Sequence, residues 1–311
     1  PDRDEVIASV SGQGLFSTGS QSDEWTPFGR GIGSAPIDHR ATSFVYDPDD
    51  PDRFWESGFF GLGPPPNPMA SDVNLTLDGG ATFFASAESI PADLVSGDLT
   101  DPERRTLVVG AHGQPRVFAS ASGGLTWNEI SADLQGEGQI GDASFPHVLD
   151  ATTFVVGTHK GDDSGIFRTT DAGATWTRGF TGQMAGPPLA SADGYLYWVR
   201  LQGGIVRSDD GGVSWEELES RAPAGGERAG RIVELEDGTW ITRGRDHMLV
   251  SRDTGETWRS AGPQLPYVPN GFTYSEAEKA VYIWQNYCEV GEQPDPVREG
   301  AIQRLELDVE P

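Results

Sequence analysis

The stretch RTTDAGATWTR, residues 168–178, decides the fold because nearly the same words recur along the chain. Copies lie at 208–215 (SDDGGVSW) and 251–258 (SRDTGETW) on its C-terminal side, and at 120–127 (SASGGLTW) and 76–83 (TLDGGATF) on its N-terminal side. The Asp position of the phrase falls at 78, 122, 171, 210 and 253, so the steps are 44, 49, 39 and 43 residues. A degenerate copy, TGSQSDEW, lies at 18–25. A period of this length predicts a repeat architecture.

The phrase is predicted to form a tight turn between two strands. Its Asp can accept backbone N–H bonds, its Gly allows a positive φ, and its Ser/Thr hydroxyl adds a second local bond. The Trp would begin the next strand and pack between neighbouring sheets. Between copies, segments such as RTLVVGAHGQPRVFASASGG indicate short strands joined by polar turns, and helical periodicity is absent. About forty residues with four short strands is the signature of a β-propeller blade.

These residues resemble the Asp-box, or BNR, repeat of sialidase-like β-propellers, over about residues 18–258. Two copies depart from the pattern, because Ser122 replaces Asp and Phe83 replaces Trp. The resemblance implies an all-β fold, a single β-propeller domain over 1–311, with four-stranded antiparallel blades and Asp-box turns. Strands predicted at both chain ends favour six blades, with the N- and C-terminal strands sharing one blade and closing the ring. Seven blades would result if each terminus formed its own.

Composition limits the partners. The 311 residues carry a formal net charge of −26 with a pI near 4.3, which repels nucleic acid and anionic membranes. Cys288 is the single cysteine, so no internal disulfide is expected, and no run of 18 apolar residues occurs. The sequence starts at Pro1, and we expect no signal peptide within it. We therefore expect a mature, monomeric protein that is secreted, extracellular or periplasmic and binds neither nucleic acid nor membrane.

A binding site is expected on the face opposite the repeated phrase, where loops from all blades converge. All five histidines are predicted there, with arginines and other polar side chains, in a chain that is otherwise strongly acidic. The candidate catalytic residues are His39, His112, His147, His159, His247 and Tyr287. The candidate substrate-binding residues are Arg40, Trp55, Glu56, Lys160, Arg200, Arg245 and Asn286.

These residue types indicate a pocket for an anionic or polyhydroxylated ligand, because Arg binds carboxylates through two parallel bonds and His exchanges protons near neutral pH. The alternative is that the residues are ordinary polar loop side chains. No cofactor is required by the sequence. Several histidines could hold a divalent metal, although no HxH or HxxxH spacing occurs.

The chain departs from a typical sialidase, for which the resemblance implies three arginines, a Tyr–Glu pair and an Asp acid/base. Arg40 lacks the expected Ile and Pro after it, and Asp72 matches the acid/base only loosely. Arg245 is comparable with the second arginine and Glu227 with the nucleophile's partner. No further repeat supplies the third arginine, and Tyr274 lacks its expected neighbours.

The leading hypothesis is a secreted carbohydrate-active enzyme that cleaves an acidic glycan. A lyase would use Arg to neutralise a uronate carboxylate and His or Tyr to move protons. A hydrolase would use two carboxylates, with Glu56, Asp72 and Glu227 as candidates. The alternative is a non-catalytic glycan- or protein-binding propeller, similar to photosystem assembly factors and sortilin-type receptors. Aromatic residues on the rim would serve either function; they are Trp55, Phe59, Phe60, Trp198 and Tyr287.

Overall fold

A computed structural model describes residues 5–10, 13–19, 22, 24–37, 39–59, 72–111, 113–134, 141–218, 231–284 and 302–307, with the backbone alone at 40 and 59. The residue contacts group the chain into two compact units, Pro1–Gly182 and Gln183–Pro311, where the sequence predicts one domain. The described residues form β-strands and turns and contain no α-helix.

The described residues of the first unit form fifteen strands in four sheets. They are β1 (Glu5–Val10), β2 (Gly14–Gly19), β3 (Thr26–Phe28), β4 (Arg40–Tyr46), β5 (Phe54–Phe59), β6 (Val73–Thr76), β7 (Phe84–Ala85), β8 (Ala92–Gly97), β9 (Leu107–Ala111), β10 (Val117–Ser120), β11 (Asn128–Glu129), β12 (Phe145–Val148), β13 (Phe154–Gly157), β14 (Gly165–Thr169) and β15 (Thr177–Thr181). The sheets are β1–β3, β4–β7, β8–β11 and β12–β15, each antiparallel with chain neighbours paired.

Eleven strands in three sheets, built in the same way, occur among the described residues of the second unit. They are β16 (Leu189–Ala190), β17 (Leu196–Val199), β18 (Ile205–Ser208), β19 (Glu216–Leu218), β20 (Val233–Glu234), β21 (Trp240–Arg243), β22 (Met248–Ser251), β23 (Arg259–Ala261), β24 (Gly271–Ser275), β25 (Ala280–Trp284) and β26 (Gln303–Glu306). The sheets are β16–β19, β20–β23 and β24–β26.

The all-β, propeller-type prediction is confirmed, because every sheet has the strand order of a propeller blade. The blade count is seven among the described strands, which matches the alternative rather than the favoured six. The physical reason lies at the chain ends. β1 pairs with β2, and β24 pairs with β25, so each terminal segment builds its own three-stranded sheet.

Burial follows the position of a strand within its sheet. The second strands β9, β13, β17 and β21 are buried at every residue, because sheets cover both of their faces. Their sequences are accordingly near-continuous hydrophobic runs, such as LVVGA in β9. The fourth strands β7 and β11 are exposed throughout. The hydrophobic clusters lie between successive sheets, for example Trp55, Val109 and Trp127 between the second and third sheets.

The repeated phrase forms the turn between the third and fourth strands, here called the repeat turn, as its residues predict. In the copy at 169–176, Thr169 Oγ1 donates to Asp171 Oδ1 at 2.7 Å, and the Gly173 N–H donates to Thr169 Oγ1 at 2.9 Å. The N–H and hydroxyl of Thr175 donate to the two Asp171 carboxylate oxygens at 2.9 and 2.7 Å. Gly173 has φ +88°, and a Cβ there would lie 2.6 Å from the Ile130 side chain, so this position requires glycine.

We expect the repeat turns to weaken in acid. Hydrogen bonds from the hydroxyl and then the N–H of Thr175 lower the pKa of Asp171 from 3.8 to about 2, and Thr257 acts in the same way on Asp253. A carboxyl with a lowered pKa stabilises the fold above its unfolded value, and this stabilisation is lost as pH falls from about 4 to about 2. Melting temperatures across that window should therefore fall less in Asp171→Asn than in wild type. An equal fall in both, or a flattened profile in the control Asp209→Asn, would contradict this assignment.

Candidate functional site

The loop end of each sheet is the end opposite its repeat turn, because antiparallel strands alternate in direction. The first strand begins there and the second strand ends there. In the first unit, His39 precedes β4, and His159 and Lys160 follow β13. In the second unit, Arg200 follows β17, and Arg245 and His247 follow β21. These loop positions agree with the order of strands read from the sequence.

The best-formed group of predicted residues in the first unit surrounds Asp142. The Asp142 side chain is completely buried, His159 is 23% exposed and Lys160 is 58% exposed. His159 Nε2 lies 3.4 Å and Lys160 Nζ lies 3.6 Å from Asp142 Oδ2. We name these three residues the Asp142 cluster. One buried carboxylate thus holds two cationic or protonatable groups that reach solvent.

Backbone bonds fix the carboxylate within this cluster. Asp142 and Lys160 form an isolated antiparallel bridge, with the Gly141 N–H donating to the Lys160 carbonyl at 2.8 Å. The Gly113 N–H donates to Asp142 Oδ2 at 3.1 Å, and the Ser144 hydroxyl donates to Oδ1. Both carboxylate oxygens therefore have donors in addition to His159 and Lys160, as a buried charge requires.

The loop that carries His159 and Lys160 is braced by its own side chains. Ser164 Oγ donates to the carbonyls of Lys160 and Gly161 at 2.6 and 2.7 Å, and Gly161 has φ +98°. The Phe145 ring, at the start of β12, lies 5.2 Å from the His159 imidazole with a 35° tilt. The imidazole is thereby held between an aromatic ring and a carboxylate.

The prediction that His39 and Glu56 belong to a surface site is wrong. His39 is 2% exposed and Glu56 is fully buried. His39 Nε2 lies 2.7 Å from Glu56 Oε1, and Asn74 Nδ2 donates to Glu56 Oε2 at 2.9 Å. Glu56 belongs to β5, where the sequence predicts a loop. A ligand cannot reach these side chains in this fold, so they stabilise the interior instead.

The prediction that Trp55 and Trp198 are aromatic residues on the rim is also wrong, because both are buried. Trp55 is 1% exposed within the core, and its indole N–H donates to the Gly123 carbonyl at 2.8 Å, against the next repeat turn. Trp198 is fully buried, with its indole N–H donating to the Gly186 carbonyl. Both lie in second strands, whose two faces are covered, so neither is available for sugar stacking.

His147 lies within β12 rather than in a loop. Its side chain is half-buried, and burial lowers its pKa to about 4. The imidazole is therefore neutral at neutral pH. It is a weak base, which makes it a poorer proton acceptor than an imidazole with an ordinary pKa.

The predicted cations of the second unit lie on separate loops, Arg200 after β17 and Arg245 after β21. Arg200 Nη1 donates to Glu217 Oε2 at 2.6 Å, so an acidic neighbour already matches its charge. Arg245 is exposed and His247 is half-buried on the loop between β21 and β22. Tyr274 lies in β24, and burial raises its pKa.

Several predicted residues lie outside the described residues. They are His112, Asn286 and Tyr287, together with Glu227, Phe60, Gln285 and Cys288. For Arg40 and Phe59 the structure gives the strand position alone. Within the described ranges, no group of three or more His, Cys, Asp or Glu side chains is arranged to hold a metal ion. No described helix is long and apolar enough to cross a membrane.

Asp142 is a candidate site residue that sequence reasoning missed. It is one of 48 acidic residues, and nothing in GDASF separates it from the others. The signal that would have found it is its place immediately before the first strand of a blade, at the same loop end as His159.

No family model and no curated protein matches this sequence. Solved structures do match by fold. The xyloglucanase of family GH74 from Xanthomonas campestris has a TM-score of 0.60 at 16% identity, over 91% of this chain and 49% of that one. The chain therefore spans about half the length of that enzyme.

Two chains from complexes with a peptide or a protein are similar to a comparable degree. YCF48 bound to D1 peptide has a TM-score of 0.56 at 18% identity, over 89% of this chain and 84% of that one. A chain of a nidogen/laminin complex has a TM-score of 0.54 at 10% identity, over 82% and 91%. At such identities the likeness concerns the fold alone: this chain has a β-propeller fold that enzymes and binding proteins share.

Proposed function

We propose that this chain is a carbohydrate-active propeller that cleaves a carboxylate-bearing glycan at the Asp142 cluster. The observation that carries the proposal is that the buried Asp142 carboxylate holds a partly exposed imidazole and an exposed ammonium, both on the loop between β13 and β14. His159 would move the proton, and Lys160 would neutralise the substrate's carboxylate. The fold likeness to the GH74 xyloglucanase supports carbohydrate chemistry in general, and it names no substrate for this chain.

The chemistry that fits these groups is β-elimination at a uronate residue. The His159 imidazole takes the proton from C5, beside the carboxylate that Lys160 neutralises. The C5–H electron pair becomes the C4=C5 double bond, and the C4–O bond breaks. The departing oxygen then takes the proton from the imidazolium. Asp142 stabilises the imidazolium while it carries that proton. The elimination itself is redox-neutral, so its balance needs no oxidant.

Hydrolysis by a carboxylate pair is less well supported by the described residues. Glu56 is fully buried and bonded to His39 and Asn74, so it cannot flank a glycosidic bond. Asp72 lies immediately before β6 and is half-buried. Of the two candidate carboxylates that the structure describes, Glu56 and Asp72, it is therefore the one that reaches solvent. The elimination mechanism requires only the groups that the Asp142 cluster brings together.

One assay separates the chemistries. The protein is incubated with polymers of galacturonate, glucuronate, mannuronate and guluronate, and both ultraviolet absorbance of unsaturated uronates and new reducing ends are measured. Elimination gives both signals, whereas hydrolysis gives reducing ends without absorbance. Neither signal on any polymer across the pH range would overturn the proposal.

Replacing His159 is expected to remove most of the activity. His159→Asn should lower kcat about a hundredfold or more, the usual loss when a positioned acid–base group is removed. Lys160→Gln should chiefly raise KM, because it removes the charge that meets the substrate carboxylate. The matched control is Lys279→Gln, an exposed lysine of the second unit paired with Glu276. A control variant that loses as much activity as Lys160→Gln would place the site elsewhere.

The second candidate function is non-catalytic binding. It is favoured by the match with YCF48 bound to D1 peptide, which extends over more than four-fifths of both chains. A binding propeller would retain a uronate polymer or a peptide on the wild-type protein without forming any product. In that case Lys160→Gln would weaken retention of the polymer or peptide. His159→Asn would form no product, like the wild-type protein.

A further inference from the structure

The two protonatable groups of the Asp142 cluster that reach solvent face a ligand from one side. His159 Nε2 lies 3.4 Å and Lys160 Nζ lies 3.6 Å from the same atom, Asp142 Oδ2. The Asp142 side chain behind them is completely buried. A sugar ring can therefore meet the cluster only from the solvent side, with the imidazole and the ammonium against one face of the ring.

No tyrosine of the first unit is placed to carry a proton at the opposite face of the ring. Tyr46 is the single tyrosine in residues 1–182. It is the last residue of β4, which begins at the loop end, so Tyr46 lies at the repeat-turn end of its sheet. About 20 Å of strand separates it from the loop end. Its ring packs against Phe54, with centroids 4.8 Å apart.

The other described histidines of the first unit do not supply this proton carrier either. The His39 imidazole is buried and lies 2.7 Å from Glu56 Oε1. Burial lowers the pKa of His147 to about 4, so this imidazole is neutral at neutral pH and cannot serve as the acid. His112 lies outside the described residues. Among the described histidines and tyrosine of this unit, His159 is thus the one placed both to take and to return a proton.

A single group that performs both transfers limits the stereochemistry of the elimination. The imidazole takes the C5 proton, the C–H electron pair forms the C4=C5 double bond, and the C4–O bond breaks with its electron pair on oxygen. The imidazolium then returns the proton to that oxygen. Both transfers require hydrogen-bond distance from the same imidazole. The C5–H and C4–O bonds must therefore lie on the same face of the sugar ring.

We propose that the Asp142 cluster is specific for uronates whose C5–H and C4–O bonds are cis, and that it eliminates across them in the syn sense. Glucuronate and mannuronate have the cis arrangement, whereas galacturonate and guluronate have the trans arrangement. Galacturonate differs from glucuronate only at C4, and guluronate differs from mannuronate only at C5. This specificity rests on the proposed elimination at His159 and names the substrate class of that site.

Lys160 does not distinguish the two classes, because all four sugars carry their carboxylate on C5. Its exposed ammonium can meet this carboxylate whether the neighbouring C4–O bond is cis or trans to C5–H. The trans polymers should therefore bind and inhibit without being cleaved. Discrimination is expected in kcat, where the proton transfers occur, more than in KM.

The test supplies the whole chain with 1→4-linked polymers of the four uronates and measures unsaturated product by ultraviolet absorbance. The kcat on polyglucuronate and polymannuronate should exceed that on polygalacturonate and polyguluronate by about a hundredfold or more, the factor that a positioned acid–base group supplies. Each trans polymer should inhibit cleavage of the cis polymers. Lys160→Gln should weaken this inhibition, and the control Lys279→Gln should leave it unchanged.

The substrate series separates failure of the specificity from failure of the reaction. Cleavage of polygalacturonate or polyguluronate with a kcat comparable to that on the cis polymers would overturn the cis assignment and leave elimination by this chain in place. Equal kcat on all four polymers, with differences confined to KM, would overturn it as well. Absence of unsaturated product from all four polymers would instead overturn the proposed function.

Discussion

Glu56→Ala is expected to lower the free energy of unfolding by about 3–5 kcal/mol, the usual cost of removing one partner from a buried pair. The substitution removes the acceptor of His39 Nε2 at 2.7 Å and of Asn74 Nδ2 at 2.9 Å. The His39 and Glu56 side chains are 3% and 0% exposed, so water does not replace the lost carboxylate without opening the sheet. Urea denaturation at neutral pH measures the change.

Two comparison variants sharpen this prediction. Glu56→Gln keeps the shape and one acceptor, and should lose less stability than Glu56→Ala. Glu217→Ala removes an exposed carboxylate paired with Arg200, and should change stability by about 1 kcal/mol or less. If Glu56→Ala were as mild as Glu217→Ala, the buried pair would not contribute to the fold as described.

Gly110→Ala is expected to destabilise the chain by about 3 kcal/mol and to displace the Asp142 cluster. A Cβ at Gly110 would lie 2.1 Å from the Ala143 carbonyl oxygen and 2.8 Å from Ser144 Cα. Both contacts are with backbone, which cannot turn aside as a side chain can. The segment that must move carries Asp142, so His159 would lose its carboxylate neighbour.

Gly186→Ala is the matched control for this substitution. Its added Cβ would meet Arg231 at 3.6 Å or more, which is ordinary contact, and stability should change little. Denaturation curves and the activity of the folded fraction together test the prediction for Gly110. A Gly110→Ala protein with unchanged stability and turnover would show that residues 143–144 move freely and do not position the site.

The repeat turns could be predicted from the sequence because their interactions are local. Thr169, Asp171, Gly173 and Thr175 bond to one another within seven residues, so the phrase itself contains the geometry. The loop end of each sheet followed from the same phrase, through the alternation of antiparallel strands. Blade number did not follow, because it depends on whether the chain ends pair with each other or with their own neighbours.

The candidate site depended on contacts between distant residues and was predicted less well. Glu56 in FWESGFF resembles a loop residue, since a charge in the middle of a strand is unfavourable unless a partner neutralises it. His39 and Asn74, 17 and 18 residues away, supply those partners. Asp142 gains its two neighbours in the same way, from residues 159 and 160 of the next loop.

The burial of Asn74 has a practical consequence for producing this protein. Asn74-Leu75-Thr76 is an N-glycosylation sequon, yet Asn74 is 2% exposed in β6 and its amide nitrogen is bonded to Glu56. Oligosaccharyltransferase acts on the extended chain before folding, and a glycan attached there could not be accommodated in the closed sheet. Expression through a eukaryotic secretory pathway should therefore yield a misfolded, glycosylated fraction. Thr76→Ser would keep that sequon, whereas production in a host without N-glycosylation avoids the modification.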